Sequence, residues 1–139
     1  MSAGPVKREW PEIPHLPVAW GEVFDKLTIL QIKLRRLGSE AQLANVQREC
    51  REIERVVGDI ARFPGGLPQL LSELQGENER LWELEEGTRA CERLQSFDAR
   101  FVALAREIYR GNDRRAAIKR RINQLLGSTL VEEKSHLPY

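Results

Sequence analysis

Apolar residues recur every three or four positions through most of the chain, the spacing that gathers side chains on one face of an α-helix. From Val18 the series Trp20, Val23, Leu27, Leu30, Leu34 and Leu37 predicts a first helix over 18–37, which Gly38 stops. Ser39 with Gln42 three residues later reads as a capping box, and Leu43, Val46, Cys50, Ile53, Val57 and Ile60 carry a second helix over 39–62. The stretch FPGGLP breaks it. A third helix over 68–94 follows through Leu67, Leu70, Leu74, Leu81, Leu84, Thr88 and Cys91, with a polar interruption at Glu77 and Asn78. Ser96 is placed to cap a fourth helix over 97–126, whose seam runs Phe101, Leu104, Ile108, Gly111, Arg115, Ile118, Ile122 and Leu125 before Gly127 ends it. Its phase is unbroken through Gly111, Asn112 and Asp113, which favours one long helix; the alternative is a fifth short helix capped by Asp113.

Pro5, Pro11, Pro14 and Pro17 keep the residues before them out of helix, so 1–17 reads as an extended strap with Trp10 as its anchor. Residues 18–127 form the helical unit, and 128–139 a tail too short to be another packed element, expected to dock on the bundle either as part of a site or as a clasp that stabilises it with no ligand. Four helices with short connections give an all-α fold, an antiparallel helical bundle of two hairpins. At 139 residues the chain is long enough for one independent core.

The pattern also makes a prediction about charge. Residues 110–123, RGNDRRAAIKRRIN, hold six Arg and Lys against one Asp. If the third and fourth helices fold back around Gln95 and Ser96, Glu77 and Asn78 face Arg114 and Arg115, and Leu81 meets Gly111. The two polar breaks then coincide, as a partly buried charged pair requires. Most of the basic stretch therefore reads as one side of an intramolecular ladder with the glutamates of the third helix. Tyr109, Asn112, Ala116, Lys119 and Asn123 form a separate polar stripe with a small residue at its centre, a boundary face with room above it. On the first helix Glu22, Lys26, Ile29 and Lys33 share a face with Asp25 beside them, and pairing of Glu22 with Lys26 along the helix is the plain reading.

Composition narrows the function classes. Net charge is +1 with 31% charged residues, and the basic stretch lacks interleaved aromatics, which argues against a nucleic-acid surface. No apolar run has the length of a membrane span or signal segment, so a cytoplasmic protein is expected. Cys50 and Cys91 fall on apolar stripes, as small buried hydrophobes do. His15 and His136 lie at opposite ends of the chain, so no metal and no cofactor is expected; neither a phosphate loop nor a nucleophile elbow occurs.

The stretches PVAWGEVFDKLTILQIK, LANVQRE, ERLW, FDARFVALAREIY, NDRRAAIKRRIN and GSTLVEEKS together resemble a bacterial family of uncharacterised helical proteins, domain of unknown function 6165. In that family a GE…DK.TIL.IK opening and an ND.RA.IK..IN…GS…E.KS ending recur. The resemblance spans roughly Pro17 to Ser135 and marks Gly21, Glu22, Asp25, Lys26, Thr28 and Lys33 at the opening. Asn78, Trp82, Glu85 and Arg89 match in the middle; Asn112, Asp113, Arg115, Lys119, Asn123, Glu133, Lys134 and Ser135 match at the end. The chain departs at its proline-rich extension, at Gln31 where an acid is usual, and at His136 in place of an aromatic. The resemblance implies no activity, and only a tilt towards glycan assembly.

Two function classes follow. The first is a non-catalytic helical module that binds a protein partner, a second copy of itself, or an anionic sugar-phosphate-like ligand. The second is a small metal-free enzyme acting on an anionic metabolite in a helical pocket, as chorismate-mutase-type bundles do by orientation and charge. In either class the candidate ligand-binding residues are Glu22, Asp25, Lys26, Asn112, Arg115, Lys119, Asn123 and Lys134. Lys26, Arg115 and Lys119 would supply the positive charge, and Asn112 or Asn123 orienting hydrogen bonds. Their use together requires the two ends of the chain to meet.

Overall fold

A computed structural model describes residues 7–139; the first six residues of the expected strap lie outside it. The protein is all-helical, with no strand among the described residues: α1 (Trp20–Arg36), α2 (Glu40–Val57), α3 (Leu67–Leu94) and α4 (Ala99–Leu126). α1 and α2 form one antiparallel hairpin, and α3 and α4 form a longer one. α1 packs against each of the other three helices, whereas α2 packs essentially on α1 alone. The arrangement is a three-helix core of α1, α3 and α4 with α2 laid on its flank.

Phe24, Leu30, Leu67, Leu74 and Ile122 are wholly or almost wholly buried in one apolar cluster that Val46, Cys50 and Val57 join from α2. Trp20, Phe24 and Phe63 close its end, with ring centroids 5.2 to 5.9 Å apart. Because α1 is covered on three sides, its buried set goes beyond the single seam read from spacing and takes in Gly21, Asp25, Thr28 and Ile32. Two of these are polar, and their partners define the interior described below.

Two boundaries differ from the periodicity, each for a local reason. α2 ends at Val57 rather than running to residue 62, since Gly58 adopts φ +66° and Asp59 then caps a single 3₁₀ turn, Ile60–Arg62, by accepting from Ala61 N at 2.9 Å. Ser96 does not cap α4. Its N–H instead donates to Cys91 O at 2.9 Å in the left-handed C-terminus of α3, where Gln95 has φ 52°, and Asp98 Oδ1 accepts from Arg100 N at 3.1 Å as the cap of α4. α4 runs unbroken through Gly111 to Asp113. At the capping box, Ser39 Oγ accepts from Gln42 N at 3.4 Å. Trp10 is no anchor, being 67% exposed.

Candidate functional site

The ends of the chain meet along α1 and α4. The approach is close enough to require glycine: a Cβ on Gly21 would lie 2.7 Å from Lys119 O and 2.9 Å from Asn123 Oδ1. Gly21 N donates to Asn123 Oδ1 at 2.7 Å, and Trp20 N donates to Ser128 Oγ at 3.1 Å. These bonds satisfy two of the free N–H groups at the start of α1, whose N-cap, Ala19, has no side chain to offer. One turn further along, Asp25, Thr28 and Asn78 are buried together. Asn78 Nδ2 donates to Asp25 Oδ1 at 3.0 Å and to Thr28 Oγ1 at 2.9 Å, and Thr28 Oγ1 donates to Asp25 O at 2.8 Å.

Lys119 completes this interior. Its ammonium lies 2.6 Å from Glu22, 2.9 Å from Glu132 and 3.8 Å from Asp25, with only 7% of the side chain exposed. Burial pulls the Lys119 pKa down, but the hydrogen bonds to Glu22 and Glu132 and the charges of Asp25 and Glu22 outweigh it and hold the group above its ordinary value. The hydrogen bond from Lys119 in turn brings the Glu132 carboxyl down to about 2. Glu22 and Glu132 take two of the three N–H donors directly and Asp25 stands at 3.8 Å, so the charge of the ammonium is already met within the protein.

Glu132 belongs to the tail, which runs back along α4 in extended form. It is held by Ser128 at Trp20, by Glu132 at Lys119, and by Tyr139, whose hydroxyl donates to Asp113 at 2.6 Å and whose ring meets Tyr109 edge-to-face at 5.2 Å. The tail thus lies along the polar stripe of α4, most closely at Ala116 and Lys119. Over Ala116 and Lys119 it leaves only about 10 Å³.

An open cleft lies beside this interior, where α1, α3 and α4 meet. It holds about 440 Å³, within the range of small-molecule sites, and is lined by Asn78, Trp82, Glu85, Glu86 and Arg89 from α3, Asn112 and Arg115 from α4, and the apolar Ile29 and Leu81. Arg115 Nε is 3.8 Å from Asp25 Oδ1, too long for a hydrogen bond. Arg89, Glu85 and Glu86 make no ion pair among the described residues, although Glu85 and Arg89 stand one helical turn apart. Three arginines elsewhere on the hairpin show the opposite habit. Arg114 pairs with Glu77, Arg121 with Glu73 and Arg80 with Glu107.

The candidate residues therefore divide. Asp25, Lys119 and Asn123 are buried together, with Glu22, its side chain 44% exposed, reaching Lys119 from outside; Asn112 and Arg115 line the cleft; Lys134 stands in the tail, 3.5 Å from Glu132. Lys26 joins neither group. One position beyond Asp25, it turns about 100° around α1 to face α2, where it pairs with Glu49 at 2.8 Å. Trp82, Glu85 and Arg89 were absent from the candidate set, yet Asn78, Trp82, Glu85 and Arg89 repeat at four, three and four residues, a single polar stripe of α3. That spacing was the available signal.

Among the described residues no group of His, Cys, Asp or Glu is placed to hold a metal ion, and no helix is long and apolar enough to cross a membrane. No family model matches the chain, and no curated protein or solved structure matches it either.

Proposed function

We propose that the protein is a non-catalytic binding module for a small anionic molecule, which it takes into the cleft between α1, α3 and α4. The observation that carries this reading is the company kept by two guanidinium groups. Among the described residues neither Arg89 nor Arg115, which stands 3.8 Å from Asp25, makes a side-chain hydrogen bond, and the two share one open cleft with Asn112 and the indole of Trp82, while Arg80, Arg114 and Arg121 are held in ladder pairs. Arginine forks recognise phosphate or carboxylate, the Asn112 amide can orient it, and an aromatic wall takes an apolar portion. The resemblance to the uncharacterised bacterial family is part of the same proposal. Six of the positions it marks, drawn from separate segments, line this cleft: Asn78, Trp82, Glu85, Arg89, Asn112 and Arg115.

Thermal-shift titration against phosphorylated and carboxylated metabolites tests the reading. A saturable stabilisation is expected from at least one of them, lost in Arg89→Ala, whose exposed side chain makes no ion pair that folding needs. Silence across the set, or a shift unchanged in Arg89→Ala, would remove the site.

A second reading, a protein-partner module, is favoured by one observation. A mostly apolar groove of about 860 Å³ runs between α1, α2 and the strap, with Leu16 and Val56 at its edge 68% and 59% exposed. Light scattering over a concentration series tests a second copy as the occupant. Association abolished by Val56→Asp supports it, and a monomer throughout excludes it.

A further inference from the structure

Resting on the anion-site reading above, we infer that the C-terminal tail builds a second lobe of the same cleft, and that this lobe takes a hydroxylated ring attached to the anionic group. The polar stripe of α4 is unevenly covered. Over Ala116 and Lys119 the tail is closely applied, but beyond Lys134 it stands off and leaves about 460 Å³ walled by Tyr109, Asn112, Asp113, Lys134, His136 and Tyr139. Asn112 lines this space and the arginine cleft alike, so the two adjoin through one side chain. A ligand reaching from Arg89 and Arg115 past Asn112 enters the tail lobe.

The chemistry of the lobe selects the class of ring. Asn112, Asp113, Lys134 and His136 offer donors and acceptors of both kinds within a small volume, and the two tyrosines add an apolar face. A puckered ring bearing hydroxyls uses both, its C–H face on a phenol ring and its hydroxyls on the amide, carboxylate and ammonium. A flat base is served poorly. Tyr109 and Tyr139 stand at 69° to one another with centroids 5.2 Å apart, so there is no parallel slot between them for a planar group. The hydroxyl of Tyr139 donates to Asp113, with Arg110 5.9 Å from its ring centroid, so its ring, 75% exposed, forms the outer rim of the lobe. The tail thereby has two jobs along its length: from Ser128 to Glu132 it clasps α1 to α4, and from Lys134 to Tyr139 it shapes a site.

Calorimetric titration with glucose 1-phosphate and with inorganic phosphate provides the test. It uses the full chain, a chain ending at Glu133, and the full chain carrying Tyr109→Ala. In the full chain glucose 1-phosphate is expected to bind about tenfold more tightly than inorganic phosphate, the effect of one or two added hydrogen bonds. The shortened chain keeps the Glu132 clasp. It should bind inorganic phosphate as the full chain does and lose the preference, and Tyr109→Ala should lose most of it. A full chain that binds the two equally, or a preference that survives in both variants, overturns the tail lobe while leaving the anion site standing. If neither compound binds the full chain, the anion site itself fails and the lobe falls with it.

Discussion

At the scale of single residues, two glycines on α1 and α4 look alike in sequence and differ in what they touch. A Cβ on Gly21 would meet the main-chain oxygen of Lys119 at 2.7 Å, whereas on Gly111 it would meet Leu81 Cδ2 at the same 2.7 Å, the far end of a flexible side chain. Alanine gains about 1 kcal/mol over glycine in a helix interior. At Gly111 that gain and a small rotation of Leu81 should nearly cancel, so Gly111→Ala is expected within about 1 kcal/mol of the parent. At Gly21 backbone must move and the Gly21–Asn123 bond is strained, so Gly21→Ala should cost on the order of 1 to 3 kcal/mol despite the propensity gain. Urea melts of the two variants check both, and equal stabilities would show that α1 and α4 are free to slide apart. Asn78 is a sharper case. Asn78→Ala leaves Asp25 Oδ1 and Thr28 Oγ1, both in buried side chains, without their donor, a loss of about 1 to 3 kcal/mol by the same measurement. A melt unchanged from the parent would mean that water replaces the amide.

Among the elements, the contact of Leu81 with Gly111 and the facing of Glu77 and Arg114 were legible, because both follow from folding one hairpin at a known turn and counting residues. The coinciding polar breaks suggested a partly buried charged pair, and the pair is lopsided: Glu77 is 13% exposed while Arg114, which holds it at 3.0 Å, is 43% exposed, and with that much solvent on the arginine it is worth about 1 kcal/mol or less. A double-mutant cycle on Arg114→Ala and Glu77→Gln should therefore give a coupling below about 1 kcal/mol, shrinking in high salt. A coupling of several kcal/mol would show that the pair is shielded from solvent on both sides. Asn78 was misplaced. Hairpin counting treats α3 and α4 as a pair, yet Asn78 faces a third helix and is used up by Asp25 and Thr28. Periodicity on each helix gives one seam, and a helix buried on three sides, as α1 is, carries information that only its neighbours reveal. Capping shows the same limit at closer range, since Ser96 and Asp98 are both suitable caps and the Schellman-type end of α3 decides between them.

At the scale of the whole molecule, the closure of the chain depends on a tail with no periodicity at all. Its docking was inferable only from charges at distant ends that needed partners, and its path was not inferable, because an extended segment is positioned by contacts rather than by spacing. Those contacts are ionic at their centre, which gives the closure a pH dependence of definite sign. Glu132 titrates at about 2 in the folded protein, below the ordinary carboxyl value of 4.5. A depressed carboxyl contributes stability that is fully present above its unfolded value and is lost as pH falls through the folded one. Lys119 is displaced in the other direction, above 10.5, so it stays charged throughout the acid range and the loss there comes from the carboxylate. The clasp should accordingly be intact at neutral pH and weaken between about 4.5 and about 2. Glu132→Gln isolates the effect, since it removes the titrating group and keeps the shape. The parent should be the more stable of the two at neutral pH, with the difference shrinking across that window in parallel urea melts, and protease protection of residues beyond Gly127 should fall with it. A difference that is flat with pH, or one that grows as pH falls, would show that the Glu132 carboxylate is not bound to Lys119 and that the tail is held only by Ser128 and Tyr139.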